Sequence, residues 1–196
     1  MARASVVKDQ ALGTKERALL EARRLLQSQG FNGFSFQDIA DLVGVKKPSL
    51  YDHFASKEEL GLELIRRYRQ EFSAWTEVVA GFEPVSQVEA LFDLYFKFAS
   101  RERRQCPLMA LTAEINTLPA SMQKALIQSG AEQMKWLEGV IARGQKEKRI
   151  RRDLTAAKLA SSVLAMGYGA QAVARVSGDA QSVRLIGKTA TRFLAG

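Results

Sequence analysis

The stretch VKKPSLYDHFASKEEL, residues 45–60, decides the fold. Pro48 suits the first residue of a helix, where its missing N–H costs nothing. Leu50 and Phe54 form a one-sided apolar stripe, and Lys46, Lys47, Ser49, Tyr51, Asp52 and His53 fall largely outside it. Ser56 followed by Glu59 has capping-box spacing, so a new helix starts there. Just upstream, Ser35-x-x-Asp38 has the same start signal, with Ile39, Ala40 and Val43 on the inner side. Gly44 separates the two short helices and tolerates the positive φ of a tight turn. Ala40 is small where a second helix must cross closely, and Val45 and Leu50 peg that helix in place. Residues 36–54 therefore have the layout of a helix-turn-helix. A polar face on a rigidly held helix is what the DNA major groove admits.

Working outward, helical signals dominate and strand signals are absent. Thr14 can cap a first helix that carries Ala18, Leu19, Ala22, Leu25 and Leu26 and stops at Gly30. The helix opened by Ser56 runs to about Ala80, until Gly81 and Pro84 break it. Further helices are expected at about 85–100, from Cys106-Pro107 to about Asn116, from Pro119 to about Arg143, at 155–176 and at 180–194. The expected fold class is all-α, with nine helices: a three-helix helix-turn-helix domain over residues 1–57, then a helical ligand-binding and dimerisation domain over 58–196.

The first of these domains resembles the DNA-binding domain of the tetracycline-repressor (TetR) family of bacterial transcription regulators. The resemblance covers about residues 14–64 and rests on the first helix, the capped second helix and GVKKPSLYDHFASKEEL. Its most specific part is the aliphatic-Tyr-x-His-Phe core followed by Ser-Lys-Glu-Glu. Carried over position by position, it implies a DNA-contacting set. Lys46 and Lys47 reach phosphates or a guanine edge. Ser49 bonds to a base or phosphate. Tyr51 donates its hydroxyl to a phosphate, and His53 meets the backbone. Lys57 adds a phosphate contact beside helix N–H groups that also favour anions, and Ser35 can do the same. Asp52 departs from a phosphate-facing pattern: it reads a cytosine amino group or faces solvent.

Composition sets outer bounds. The chain has 196 residues, 46% hydrophobic and 26% charged, enough for a real core and unlike a disordered chain. The net charge of +8 suggests nucleic acid, but residues 1–60 carry nine Lys/Arg against eight Asp/Glu, only +1. The remaining +7 lies towards the C-terminus, so the charge total does not locate the reading surface. The single cysteine, Cys106, forms no intramolecular disulfide and fits a reducing cytosol. The segment MARASVVKDQALG lacks a signal-peptide core, and no stretch approaches the ~18 apolar residues of a membrane span. A cytoplasmic protein with no membrane partner is expected. With no second histidine and no nearby cysteine to complete a site at His53, neither a metal nor a cofactor is expected.

A palindrome reader needs two recognition helices about 34–36 Å apart, which demands a homodimer. The small residues Ala156, Ala157, Ala160, Ser161, Ala165, Gly167, Gly169, Ala170 and Ala174 supply a close-packing seam. Val183, Ile186, Phe193 and Leu194 follow on the last helix. In the family, these two helices form a four-helix bundle with their mates. The middle helices are expected to enclose an effector cavity lined by Phe72, Trp75, Phe92, Tyr95, Phe96, Cys106, Met109, Thr112, Asn116, Met134, Leu137 and Tyr168. Aromatics at helical spacing also serve as plain core, and the sequence leaves both readings open.

Cys106 stands before a helix start, just after Arg101, Arg103 and Arg104. Helix dipole and cations both lower a thiol pKa. The segment Gln-Cys-Pro-Leu-Met-Ala is similar to the Gly-Cys-Leu segment of a TetR subgroup that includes electrophile-responsive regulators. It departs at Gln105 and Pro107. Cys106 is thus a sensor or a small buried hydrophobe. The basic run Lys146–Arg152 suits a solvated helix end, with a second DNA or RNA contact as the alternative.

Three functions compete. The first is a dimeric repressor released from a palindromic double-stranded DNA operator by a small molecule, with electrophile sensing at Cys106 as a variant. The second is a thiol enzyme, which lacks a nearby base for Cys106 and is not expected. The third is an architectural nucleic-acid binder without an effector.

Overall fold

Gly44 turns the chain at φ +74°, and its N–H and that of Val45 both donate to the Ala40 carbonyl, at 2.9 and 3.0 Å. This turn joins two helices of an all-helical chain. The computed structural model describes residues 12–195, and residues 1–11 and 196, with the expected start of the reading domain, lie outside them. The described residues form nine α-helices and no strand. The helices are α1 (Thr14–Gln29), α2 (Phe36–Val43), α3 (Pro48–Tyr51), α4 (Lys57–Val79), α5 (Pro84–Ala99), α6 (Pro107–Thr112), α7 (Ala120–Lys146), α8 (Ala156–Ser177) and α9 (Gln181–Ala195). A 3-10 turn, Ile115–Thr117, sits between α6 and α7.

Local chemistry accounts for most helix ends. The Ser35 hydroxyl accepts from the N–H groups of Gln37 and Asp38, and the Asp38 carboxylate accepts the Ser35 N–H at 2.7 Å, a complete capping box. Ser56 caps α4 by accepting the Glu59 N–H at 3.1 Å, but the Glu59 carboxylate accepts from Ala55 rather than from Ser56. Thr155 caps α8 in the same way, through the Lys158 N–H. Thr14 does not cap α1. It is the first helical residue, and Gly13 holds the cap position with no side chain to offer. The expected helix through Asn116 stops at Thr112, and α7 runs on to Lys146.

The head packs around Leu19, Ala22, Leu26, Ile39, Ala40, Leu50 and Phe54, each no more than 2% exposed. Ala40 is fully buried, so a larger side chain there would overpack the α1–α2 contact at a cost of about 1–3 kcal/mol. In the body, α5 packs against α7, α8 and α9, and α4 packs along α7. Close approach uses small residues. A side chain at Gly167 would strike the Tyr95 ring, and one at Gly187 would strike Phe92. Gly167, Ala160, Ala170 and Ala174 are therefore buried inside the chain's own core, while Ala157, Ser161, Ala165 and Gly169 remain outward. The expected seam divides between these two faces.

Candidate nucleic-acid interface

The interface is built on α3, a single turn too short to hold itself in water. Its position comes from its surroundings: Leu50 is 1% exposed, and Phe54, just beyond, is 2% exposed. With those two pegs inside, the other side chains have fixed places. Lys46, Lys47 and Asp52 are exposed, and Ser49 and His53 are half-buried. Tyr51 is half exposed, its ring held edge-on to Phe36 at 5.0 Å, so the hydroxyl sits on a stiff arm. The His53 ring lies against Phe54 at 6.4 Å. Five of the seven expected contact residues, Lys46, Lys47, Ser49, Tyr51 and His53, thus gather on or beside α3.

The other two are engaged elsewhere. The Ser35 hydroxyl serves the capping box, donating to Asp38 at 2.7 Å while accepting two N–H groups. This bond holds the Asp38 carboxyl below its ordinary value. The Lys57 ammonium turns inward. It donates to the Phe31 carbonyl at 2.6 Å and lies 4.6 Å from the ring centres of Phe31 and Phe34. Partial burial pulls its pKa down. Here Lys57 fastens the α1–α2 loop.

That loop is held from a direction the sequence does not announce. Glu114, after α6, accepts the N–H of Phe31 at 2.5 Å and that of Asn32 at 3.2 Å. Asn32 in turn donates to the Thr117 hydroxyl at 2.8 Å. Gly30 makes room: its φ is +83°, and a side chain there would lie 2.7 Å from a Glu114 oxygen. Arg175 of α8 donates to the Gln27 carbonyl at 3.2 Å and to the Ser28 carbonyl, placing a cation at the C-terminal end of α1. Arg67 of α4 grips both oxygens of Glu16 at 2.6 Å and also bonds to Glu63 at 2.9 Å. These links tie the head to the body, across separations where local spacing gives no signal.

The twelve residues expected around an effector do not surround one cavity. Phe92, Tyr95, Cys106 and Leu137 are no more than 2% exposed and fill the core. Tyr95 and Tyr168 meet through Gln133, which donates to one hydroxyl and accepts from the other, both at 2.9 Å. Phe96 lies under the Arg184 guanidinium at 3.8 Å. Met109 and Met134 are half-buried, and Thr112, the last residue of α6, and Asn116, in the 3-10 turn beyond it, are exposed. Phe72 and Trp75 line an open cleft between α1, α4 and α5.

Cys106 fits the small-buried-hydrophobe reading rather than the sensor one. It is fully buried, and burial pushes its pKa from 9.0 up to about 11, outweighing the N–H groups of α6 that favour the thiolate. Its sulfur accepts the Met109 N–H at 3.4 Å as the α6 cap, and its own N–H donates to Gln171 at 2.7 Å. The upstream arginines do not activate it: Arg104 pairs with Glu102, and Arg103 reaches towards Gly178. The Tyr68 hydroxyl is buried beside the thiol without a well-formed hydrogen bond. Among the described residues no cluster of metal-type ligands occurs, and no helix is long and apolar enough to cross a membrane.

Comparison with known proteins agrees with this geometry. Residues 18–64 match the family model described as bacterial regulatory proteins, tetR family. Residues 84–189 match the tetracyclin repressor-like C-terminal domain. The HTH-type transcriptional repressor DhaR of Mycobacterium sp. (strain GP1) is 26% identical over 145 residues, 72% of each chain. The HTH-type transcriptional repressor KstR2 of Mycobacterium tuberculosis is 29% identical over 141 residues, 69% of each. A crystal structure of a TetR-family transcriptional regulator from Agrobacterium tumefaciens superimposes with a TM-score of 0.88 at 28% identity, covering 96% of this chain and all of that one. With a held recognition turn, matching sequence patterns at both ends and regulators rather than enzymes as relatives, the chain belongs to the TetR family of DNA-binding transcriptional regulators.

Proposed function

We propose that this regulator is a cytoplasmic homodimeric repressor that grips a palindromic operator and lets go when a small molecule binds its body. The observation that carries the reading is the polar, outward face of α3, where Lys46, Lys47, Ser49 and Tyr51 stand on a turn pinned by Leu50 and Phe54. The reading head ends at about residue 57, and residues 58–196 sense and pair.

Pairing is supported by an apolar face left uncovered among the described residues. Ala165, Gly169, Val173 and Val176 follow one another along one side of α8, and Leu185 projects from α9. Val176 is 86% and Leu185 68% exposed. Two copies joined there present two α3 turns, which a duplex accepts at a separation of about 34–36 Å. Release is a population shift: the effector binds the wrong spacing of the heads better than the right one. Lys57 and Ser35 act within the head as fasteners, so the phosphate contacts fall chiefly to Lys46, Lys47, Tyr51 and His53.

The test is selection of bound sequences from random duplex DNA at low ionic strength, with sedimentation of the protein alone. An inverted repeat and a dimer are expected. Val176→Glu with Leu185→Glu should yield monomers that retain helix content and lose the repeat. Retention of no duplex, or of a single unpaired half-site by a stable monomer, overturns the reading.

A further inference from the structure

A cleft of about 180 Å3 opens between α1, α4 and α5. Its wall is aromatic. Tyr68 and Phe72 are stacked at 6.3 Å and 24°, and Trp75 continues the row at 5.5 Å and 32° from Phe72. Phe98 of α5 faces the same space. Rings aligned this closely leave a surface on which one more flat ring can stack. The rim is charged: Arg23, Lys97 and Arg101 stand against a single carboxylate, Glu71, leaving three minus one, or two, positive charges. Arg23 pairs with Glu71 at 2.7 Å. Lys97 and Arg101 are exposed, and neither makes an ion pair among the described residues.

We propose that this cleft binds a small anionic molecule with one aromatic ring, its ring stacked on the α4 aromatics and its carboxylate held by Lys97 and Arg101. Size sets the first limit. Pockets for drug-sized ligands occupy roughly 300–1,000 Å3, so this one admits about a single ring with a short substituent. Charge sets the second: a neutral ring gains only the stacking, and a cation meets a repelling rim. Geometry adds a consequence, which rests on the effector-responsive reading above. Arg23 belongs to α1 and Glu71 to α4, so their pair is a strut between the head and the helix that carries it. A carboxylate in the cleft competes with Glu71 for Arg23 and loosens that strut. The cleft is thus separate from the filled core around Phe92, Tyr95 and Leu137.

Isothermal titration with benzoate, phenylacetate, benzyl alcohol and benzylamine tests this on the full chain. Intrinsic fluorescence of the Trp75–Trp136 pair is read in parallel. The two carboxylates should bind saturably and roughly tenfold tighter than the alcohol, with the amine weakest. Lys97→Ala with Arg101→Ala, both at exposed positions, should remove that preference while the circular dichroism stays unchanged. The proposal is overturned if the alcohol or amine binds as well as the carboxylates, if the double variant keeps the preference, or if no probe binds by about 10 mM. Binding to a random duplex pool without any probe separates the two readings. Duplex retained with no probe bound rejects the cleft and leaves the regulator. Carboxylate bound with no duplex retained does the reverse.

Discussion

The carboxylate of Glu114 accepts the Phe31 N–H at 2.5 Å across 83 residues of chain. It fixes the loop that leads into the Ser35 cap of α2, and α2 in turn seats α3. A charge-assisted bond to partly buried N–H groups is worth ~1.5–3 kcal/mol, and its removal leaves those donors unpaired. Glu114→Ala should therefore lower Tm by roughly 2–4 °C for each kcal/mol of lost stability. It should also weaken binding to every duplex, because the α3 turn loses its register. Thermal melting and fluorescence anisotropy read the two effects. An unchanged Tm would mean the loop holds itself.

Lys46 and Lys47 stand exposed, and neither makes an ion pair among the described residues, so their removal should leave stability within about 0.5 kcal/mol. Each lysine withdrawn from a phosphate should reduce the log–log salt slope of duplex binding by about 0.9. Tyr51→Phe should weaken binding with little change in that slope, since a neutral hydroxyl releases no counterion. Lys57→Ala differs: its ammonium holds the Phe31 carbonyl, so Tm should fall as well. If instead Lys57→Ala leaves Tm untouched and cuts the slope, the lysine swings out to meet DNA. Titration of duplex binding against salt for each variant decides between these.

These contrasts also show which parts of the molecule are readable in its sequence. Ser35–Asp38, Gly44, Pro48 and the Leu50–Phe54 pair act within a few residues of one another, so spacing alone reveals the head. Glu114 and Phe31 meet only because α6 packs against α1, and Arg175 reaches Ser28 only across 147 residues of chain; no local pattern encodes either. Spacing extends α6 to Asn116, but the chain leaves the helix after Thr112, and Asn116 sits in a 3-10 turn and faces out. Cys106 reads two ways in the sequence for a related reason. Its neighbours in sequence are arginines, while its neighbours in space are Tyr68, Gln171 and the core.

Stability should respond to acid through Glu63. Hydrogen bonds from Arg66 first, then Arg67, hold its pKa at about 2 instead of 4.5. A depressed carboxyl stabilises the fold above its unfolded value, and that contribution drains as pH falls from 4.5 towards 2. Glu16, lowered by the same Arg67, also loses its share as pH falls below 4.5. The α1–α4 link should therefore loosen below pH 4.5. Glu63→Gln should destabilise the chain at pH 7 by ~1–2 kcal/mol, after allowance for solvent screening, and flatten the acid limb. Urea melts from pH 7 to 2.5 measure both. A parallel shift of wild type and variant would remove Glu63 from the account.

The Cys106 thiol should be quiet at neutral pH. A rise from 9.0 to about 11 cuts the thiolate fraction about 100-fold, and burial adds a steric barrier. Reaction with a thiol reagent should accelerate by at least that factor on unfolding. The sign of the linkage follows: the folded chain keeps this proton longer, so stability is fully present below pH 9 and declines as pH rises from 9 to 11. Cys106→Ser keeps an acceptor for the Met109 N–H and should melt above Cys106→Ala, which loses the α6 cap at a cost of ~0.5–2 kcal/mol. Duplex binding by Cys106→Ser should survive N-ethylmaleimide as well as the wild type does. Rapid labelling of the native chain, with loss of duplex that the serine variant escapes, would instead mean that the core around α6 opens and that electrophiles reach the head through it.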